Sequence, residues 1–83
     1  MKHLRKSLGL SQEAFADLLG FSFVSVNKWE NEASAPTGLS AVLLQLLKTA
    51  IGRHGPDRIM TELRPLRGVP LDVVRTLTAL ERS

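Results

Sequence analysis

The feature that most constrains this chain is the three-residue turn at 20–22, which lies between two stretches with helical spacing. The helix before it, at 12–19, has its large apolar residues on one stripe. Gly20 can end that helix because glycine adopts a positive φ without steric cost. Ser22 can begin the next helix because its hydroxyl accepts a bond from an unpaired amide. So short a turn makes the two helices cross steeply, and the second helix then projects from the surface.

Helical spacing continues through the rest of the chain, and no stretch alternates with the period of two that is typical of strands. The pattern predicts a first helix at 2–8 that ends at Gly9, and a third helix at 22–31. After a small, polar loop at 32–38, a fourth helix is predicted at 39–51. Its apolar stripe consists of Val42, Leu43, Leu46, Leu47 and Ala50.

The last third of the chain begins with a linker-like stretch at 52–56, rich in glycine and ending in proline. A weaker helix is predicted at 57–66, with Ile59, Met60 and Leu63 buried. Another is predicted at 71–82, with Leu71, Val74, Leu77 and Leu80 on one face. The prediction is an all-α bundle of four to five helices, with residues 1–51 as the main unit and 52–83 as a C-terminal helical extension.

Composition excludes several classes of protein. The 83 residues are enough for one domain, and the absence of cysteine removes disulfide scaffolds and thiolate sites. No signal peptide or membrane span is readable. There is no glycine-rich phosphate loop, nucleophile elbow or paired-histidine zinc signature, so we expect no enzyme, cofactor or metal. His3 and His54 are far apart and are expected to be exposed. A net charge of +3 and a pI near 10.0 are compatible with a polyanionic partner.

The residues around the short turn carry a resemblance to a known family. They are Leu10-Ser11-Gln12-Glu13-Ala14-Phe15-Ala16-Asp17-Leu18-Leu19-Gly20-Phe21-Ser22, then Val26-Asn27-Lys28-Trp29-Glu30-Asn31, and Pro36. This pattern resembles the Xre/Cro/C1 repressor-type helix-turn-helix family over about residues 4–47. The resemblance implies a repressor-like bundle whose third helix enters the major groove of double-stranded DNA.

The resemblance also implies roles for individual residues. Base edges would be contacted by Phe23, Val24, Asn27 and Lys28. Backbone phosphates would be held by Lys2, Lys6, Gln12, Ser22, Ser25 and Asn31. Gln12 is placed for this because it begins the second helix, where free amides favour anions.

Other positions are expected to be structural. Ala16 has to be small because the two helices cross there, and Gly20 makes the turn. Trp29 is expected to anchor the third helix in the core. The resemblance implies a salt bridge between Arg5 and Glu30 that holds the docking angle of that helix.

Phe23 and Val24 depart from the polar residues that related proteins often carry at these positions. They can contact thymine methyl groups in the major groove. A second interpretation is that they contact a protein or pack against the C-terminal extension, and a helix-turn-helix that no longer binds DNA is a third.

The predicted function is a sequence-specific transcriptional regulator that acts in the cytoplasm, at the nucleoid. The alternative is an antitoxin that binds its own operator and also a toxin protein. Residues 52–83 can complete the core, form a homodimer interface or hold a partner. A dimer is attractive because two recognition helices read a palindromic site one helical turn apart.

Overall fold

The computed structural model describes residues 2–82 and is built of helices joined by short connections, with no strand in that range. The expectation of an all-α fold is confirmed. None of these helices is long and apolar enough to cross a bilayer. In chain order they are α1 (Lys2–Ser7), α2 (Gln12–Leu19), α3 (Phe23–Glu30), α4 (Gly38–His54), α5 (Pro56–Leu63), a 3₁₀ turn (Arg64–Leu66) and α6 (Pro70–Arg82).

The α2–turn–α3 unit forms at the predicted positions because its caps are satisfied locally. The Ser11 hydroxyl accepts a hydrogen bond from the amide of Ala14 at 3.1 Å at the start of α2. Gly20 ends α2 in the left-handed region, with φ +80°, and its amide donates to the carbonyl of Ala16 at 2.9 Å. The Ser22 hydroxyl then accepts from the amide of Ser25 at 3.1 Å and begins α3.

One hydrophobic cluster contains buried side chains from each of the helices α2–α6. Leu4 of α1 is partly buried and packs against this cluster. The large side chains that are fully buried are Phe15, Leu19, Val26, Leu43, Leu47, Ile59, Leu63, Val73 and Leu77. Four of these nine belong to the predicted extension, so residues 52–82 line the same core as the helix-turn-helix. The long α4 lies at the centre and packs against both α5 and α6.

The prediction of a linker at 52–56 is wrong. Residues 52–54 continue α4, and only Gly55, with φ +86°, separates it from α5. An internal glycine such as Gly52 weakens a helix by only about 1 kcal/mol, and the next residue, Arg53, donates to the carbonyl of Glu81 on α6 at 3.3 Å. The predicted boundary at 51/52 therefore falls inside a helix. His54 is also not fully exposed as expected, since its Nε2 is enclosed and has no hydrogen-bond partner within residues 2–82.

The predicted apolar stripes of two helices were partly wrong. Val42 is 53% exposed, and Leu44 takes the buried position on α4 instead. Leu71 is 57% exposed, because the buried face of α6 is formed by Val73, Leu77 and Leu80. Both helices carry apolar residues in two overlapping helical registers, and packing against the neighbouring helices selects one of them.

Candidate nucleic-acid interface

The outer face of α3 carries the four residues expected to contact bases. Phe23 and Val24 in the first turn are 49% and 59% exposed. Lys28 is exposed one turn later, and Asn27 is half-buried beside it. The structure therefore brings these four side chains to one surface of a helix that projects from the core.

The inner face of α3 fixes that helix to the domain. Val26 is fully buried against α2, where Ala16 is 1% exposed. The ring of Trp29 is half-buried and meets the ring of Phe21 edge to face, with centroids 5.2 Å apart and an interplanar angle of 85°. Aromatic pairs favour this arrangement because the ring edge is positive and the face negative.

The end of α3 is tied to α1 by a bidentate ion pair. Arg5 donates to both carboxylate oxygens of Glu30, through Nε at 2.7 Å and through a terminal nitrogen at 2.9 Å. Its other terminal nitrogen donates to the carbonyl of Leu10 at 2.8 Å. One guanidinium group thus joins α1, the connection to α2 and the last residue of α3. The two side chains are 12% and 1% exposed, so the pair is largely removed from solvent.

Burial and pairing act in opposite directions on the Glu30 carboxyl. The hydrogen bonds from Arg5 lower the pKa of Glu30 below its ordinary value, although burial opposes them. The Gln12 amide and the charges of Arg5 and Lys2 lower the pKa further. The pKa of Arg5 is raised by the same hydrogen bonds. Glu30 is therefore a carboxylate at neutral pH, and its charge is satisfied within the domain.

A chain of side-chain amides runs from this ion pair to the outer face of α3. The amide nitrogen of Gln12 donates to Glu30 Oε1 at 3.1 Å, and its oxygen accepts from the Asn27 amide at 3.1 Å. The Asn27 oxygen in turn accepts from the Asn31 amide at 3.1 Å. An asparagine amide has two N–H donors and two acceptor positions. Asn27 is thus held in one orientation with one donor and one acceptor position still available.

The residues expected at phosphates lie in three groups. Gln12 and Asn31 belong to the amide chain, while Ser22 and Ser25 lie together at the start of α3, where the Ser22 hydroxyl donates to that of Ser25 at 2.8 Å. The lysines expected there, Lys2 and Lys6, are both exposed on α1. The charge of Lys2 acts on Glu30, whereas the ammonium group of Lys6 has no hydrogen-bond or ion-pair partner within residues 2–82.

Sequence reasoning missed a segment that packs on the helix-turn-helix turn. The backbone at Gly68 lies so close to Gly20 that a side chain on either glycine would collide with the other segment. Pro70, at the start of α6, closes over the same turn, and a Cβ on Gly20 would lie 2.6 Å from its ring. The pair of glycines is the signal in the sequence, but nothing in the spacing places them side by side.

A crossing pair of helices joined by a short turn, with the outer face of the second helix exposed, defines the helix-turn-helix class of DNA-binding domains. A comparison with protein-family models matches the family described as Helix-turn-helix over residues 1–45. The chain belongs to this family, of the Xre/Cro/C1 type. No curated protein and no solved structure matches the chain.

Membership supports the general function. Members are DNA-binding regulatory domains rather than catalysts, and the chain is a DNA-binding transcriptional regulator of the repressor-like type. Within residues 2–82, no group of three or more histidine or carboxylate side chains is arranged to hold a metal ion.

Proposed function

We propose that the chain is a sequence-specific regulator that inserts α3 into the major groove of double-stranded DNA. The observation that carries this proposal is the outer face of α3, on which Asn27 is held in one orientation by Gln12 and Asn31. A side-chain amide can bind an adenine edge with one donor and one acceptor, and these are the positions that Asn27 keeps available. Lys28, exposed beside it, can donate to the acceptors of guanine.

Phosphate contacts would then position the domain on the duplex. Gln12 and the Ser22–Ser25 pair lie at the starts of α2 and α3, where helix amides favour an anion. Lys2, Lys6 and Asn31 are exposed and can reach the backbone on the other side. Because the carboxylate of Glu30 is neutralised by Arg5, it does not repel the phosphates. Such contacts fix the register of α3 without carrying sequence information.

The regulator would act as a homodimer on a palindromic site, at the nucleoid in the cytoplasm. One recognition helix reads only a few base pairs, whereas two-fold related helices read two half-sites one helical turn apart. A dimer therefore predicts inverted repeats in the preferred DNA sequence.

The proposal is tested by selecting binding sites from a random duplex library. Fluorescence anisotropy then measures binding to the selected duplex and to a scrambled one across a salt series. We expect the selected duplex to bind at least about 10³-fold more tightly. Equal affinities that fall steeply with salt would show binding by charge alone and would contradict the proposal.

Lys28 offers the sharpest test of base reading. Replacing Lys28 by Ala is expected to cost about 1–3 kcal/mol on the selected duplex and to relax the preference at one base pair. Lys48→Ala on α4 is the control for the loss of a positive charge, since Lys48 is also an exposed helical lysine and is not among the proposed DNA contacts. Equal losses on selected and scrambled duplexes would instead assign Lys28 to a phosphate.

The exposure of Phe23 and Val24 also supports a second candidate, a surface for a protein such as the toxin partner of an antitoxin. Uracil substitution separates the two functions because it removes only the methyl group of thymine. If these residues read thymine, uracil at one position weakens wild-type binding and leaves the Phe23→Ala or Val24→Ala variant unaffected. If no thymine position behaves in this way, the apolar pair is better explained by a protein contact.

A further inference from the structure

The segment that packs on the helix-turn-helix turn carries two arginines that the proposed interface does not use. Arg64 is the C-cap of α5 and the first residue of the 3₁₀ turn, and Arg67 follows that turn directly. Both side chains are exposed. Neither guanidinium has an ion-pair or hydrogen-bond partner within residues 2–82, in contrast to Arg5 and Arg58.

Close packing fixes the position of these arginines relative to α3. Gly68 lies against the backbone of both Asp17 and Gly20, and Gly20 is only two residues before the cap of α3. Adjacent Cα atoms are about 3.8 Å apart, so the Cα of Arg67 lies within roughly 15 Å of Ser22. An extended arginine side chain covers much of that distance.

The backbone of Arg67 is in the left-handed region, with φ +54° and ψ +35°. This region is unfavourable for a residue with a long side chain, and it is normally occupied by glycine or asparagine. Gly68 continues with φ +72°. The conformation turns the chain so that it meets the helix-turn-helix turn, and it presents a cation there.

The local charge also favours a polyanion. Asp17 is the acidic residue that lines the same surface depression as Arg64 and Arg67, together with Leu18 and Met60. One carboxylate therefore opposes two guanidinium groups, and the depression has a net positive charge. Without the arginines this flank of the turn would repel DNA.

We propose that Arg64 and Arg67 contact DNA phosphates beside the N-terminal end of α3, so that the 64–70 segment extends the DNA footprint beyond the helix-turn-helix. The proposal rests on the proposed function, because it is the N-terminal end of a recognition helix that approaches the base edges. In that docking, the segment packed on the turn next to that end would lie beside the flanking backbone. Guanidinium groups suit phosphates because they donate through two parallel N–H bonds.

The test compares Arg64→Gln and Arg67→Asn with the wild-type chain in salt-dependent binding. Asparagine removes the charge at position 67 and still tolerates the left-handed backbone. Arg82→Gln is the matched control, since Arg82 ends α6 about 18 Å along the helix from Pro70, beyond the screening length of about 10 Å in 0.1 M salt. Thermal unfolding of each variant confirms that the fold is retained.

Each of the two variants is expected to make the slope of log K against log salt shallower by about 0.9, the value for one lost phosphate contact. Because phosphates carry no sequence information, the selected and scrambled duplexes should weaken by the same factor. Unchanged slopes in both variants, or an equal change in Arg82→Gln, would overturn the proposal. Wild-type protein that prefers no DNA sequence would contradict the proposed function itself, a result distinct from unchanged slopes in the arginine variants.

Discussion

At the scale of single residues, the buried pair of Arg5 and Glu30 decides how firmly α3 is attached to the domain. We predict that Arg5→Met alone destabilises the fold by about 3 kcal/mol, because it leaves the Glu30 carboxylate buried without its partner. The double variant Arg5→Met/Glu30→Met is expected to recover a large part of that loss, since no charge remains buried. Urea unfolding of the wild type, Arg5→Met, Glu30→Met and the double variant measures the coupling free energy between the two side chains. A double variant as unstable as the sum of the two single ones would contradict this prediction.

The same pair makes stability depend on acid. The pKa of Glu30 is lowered in the folded state from an ordinary value of 4.5, so the folded protein binds fewer protons than the unfolded chain. The stabilisation is therefore complete above the ordinary pKa and is lost as the pH falls through the folded pKa. We predict that the advantage of the wild type over Glu30→Gln in the free energy of unfolding is constant near neutral pH and shrinks below about pH 4.5.

Urea unfolding at several pH values measures this difference. The comparison is repeated in the Arg5→Met background, where the Arg5 hydrogen bonds that lower the pKa of Glu30 are absent. There, the loss of the advantage on acidification should be smaller. A wild-type advantage that grows on acidification would have the wrong sign for a carboxylate stabilised by a cation.

At the scale of elements, the sequence was sufficient where the determinants are local. The limits of α2 and the start of α3 follow from Ser11, Gly20 and Ser22, whose caps act within three or four residues. The end of α4 could not be predicted in the same way, because Gly52 favours a break, whereas Arg53 is tied to the distant carbonyl of Glu81 on α6. The amide orientation of Asn27 depends on Gln12, 15 positions away, and could not be predicted from local sequence either.

The contact between the turn and the 64–70 segment can be tested with two glycines of similar backbone conformation. Gly9 and Gly20 have φ of +71° and +80°, but a Cβ on Gly9 meets nothing within 4 Å. We predict that Gly9→Ala costs about 1 kcal/mol, from the left-handed backbone alone. Gly20→Ala should cost roughly 1–3 kcal/mol more, because its methyl group collides with the backbone of Gly68 and the ring of Pro70. Equal losses in thermal unfolding would mean that the segment yields easily and does not fix the turn.

At the scale of the whole molecule, the helix-turn-helix and the C-terminal helices share one hydrophobic core. The family match ends at residue 45, yet α4 continues to His54 and buries its apolar side against α5 and α6. The N-terminal part of the chain thus carries the proposed recognition surface, while much of its core is supplied by the C-terminal part. Sequence periodicity predicted the existence of these last helices, but it could not show that they share the core.

We therefore predict that a fragment of residues 1–54 does not fold. It lacks four fully buried side chains, Ile59, Leu63, Val73 and Leu77. Burial of each contributes about 1.5–3 kcal/mol, and their total is comparable with the whole stability of a domain of this length, about 4–12 kcal/mol. Circular dichroism should show no cooperative thermal transition, and the fragment should lose sequence preference for DNA. A cooperative transition would show that the first four helices are self-sufficient.

Within the full chain, the two faces of α6 should differ in how much they contribute to stability. Leu77 is fully buried, so Leu77→Ala should lower the free energy of unfolding by about 2–5 kcal/mol. Leu71 lies on the exposed side of the same helix, so Leu71→Ala should change it by less than about 0.5 kcal/mol.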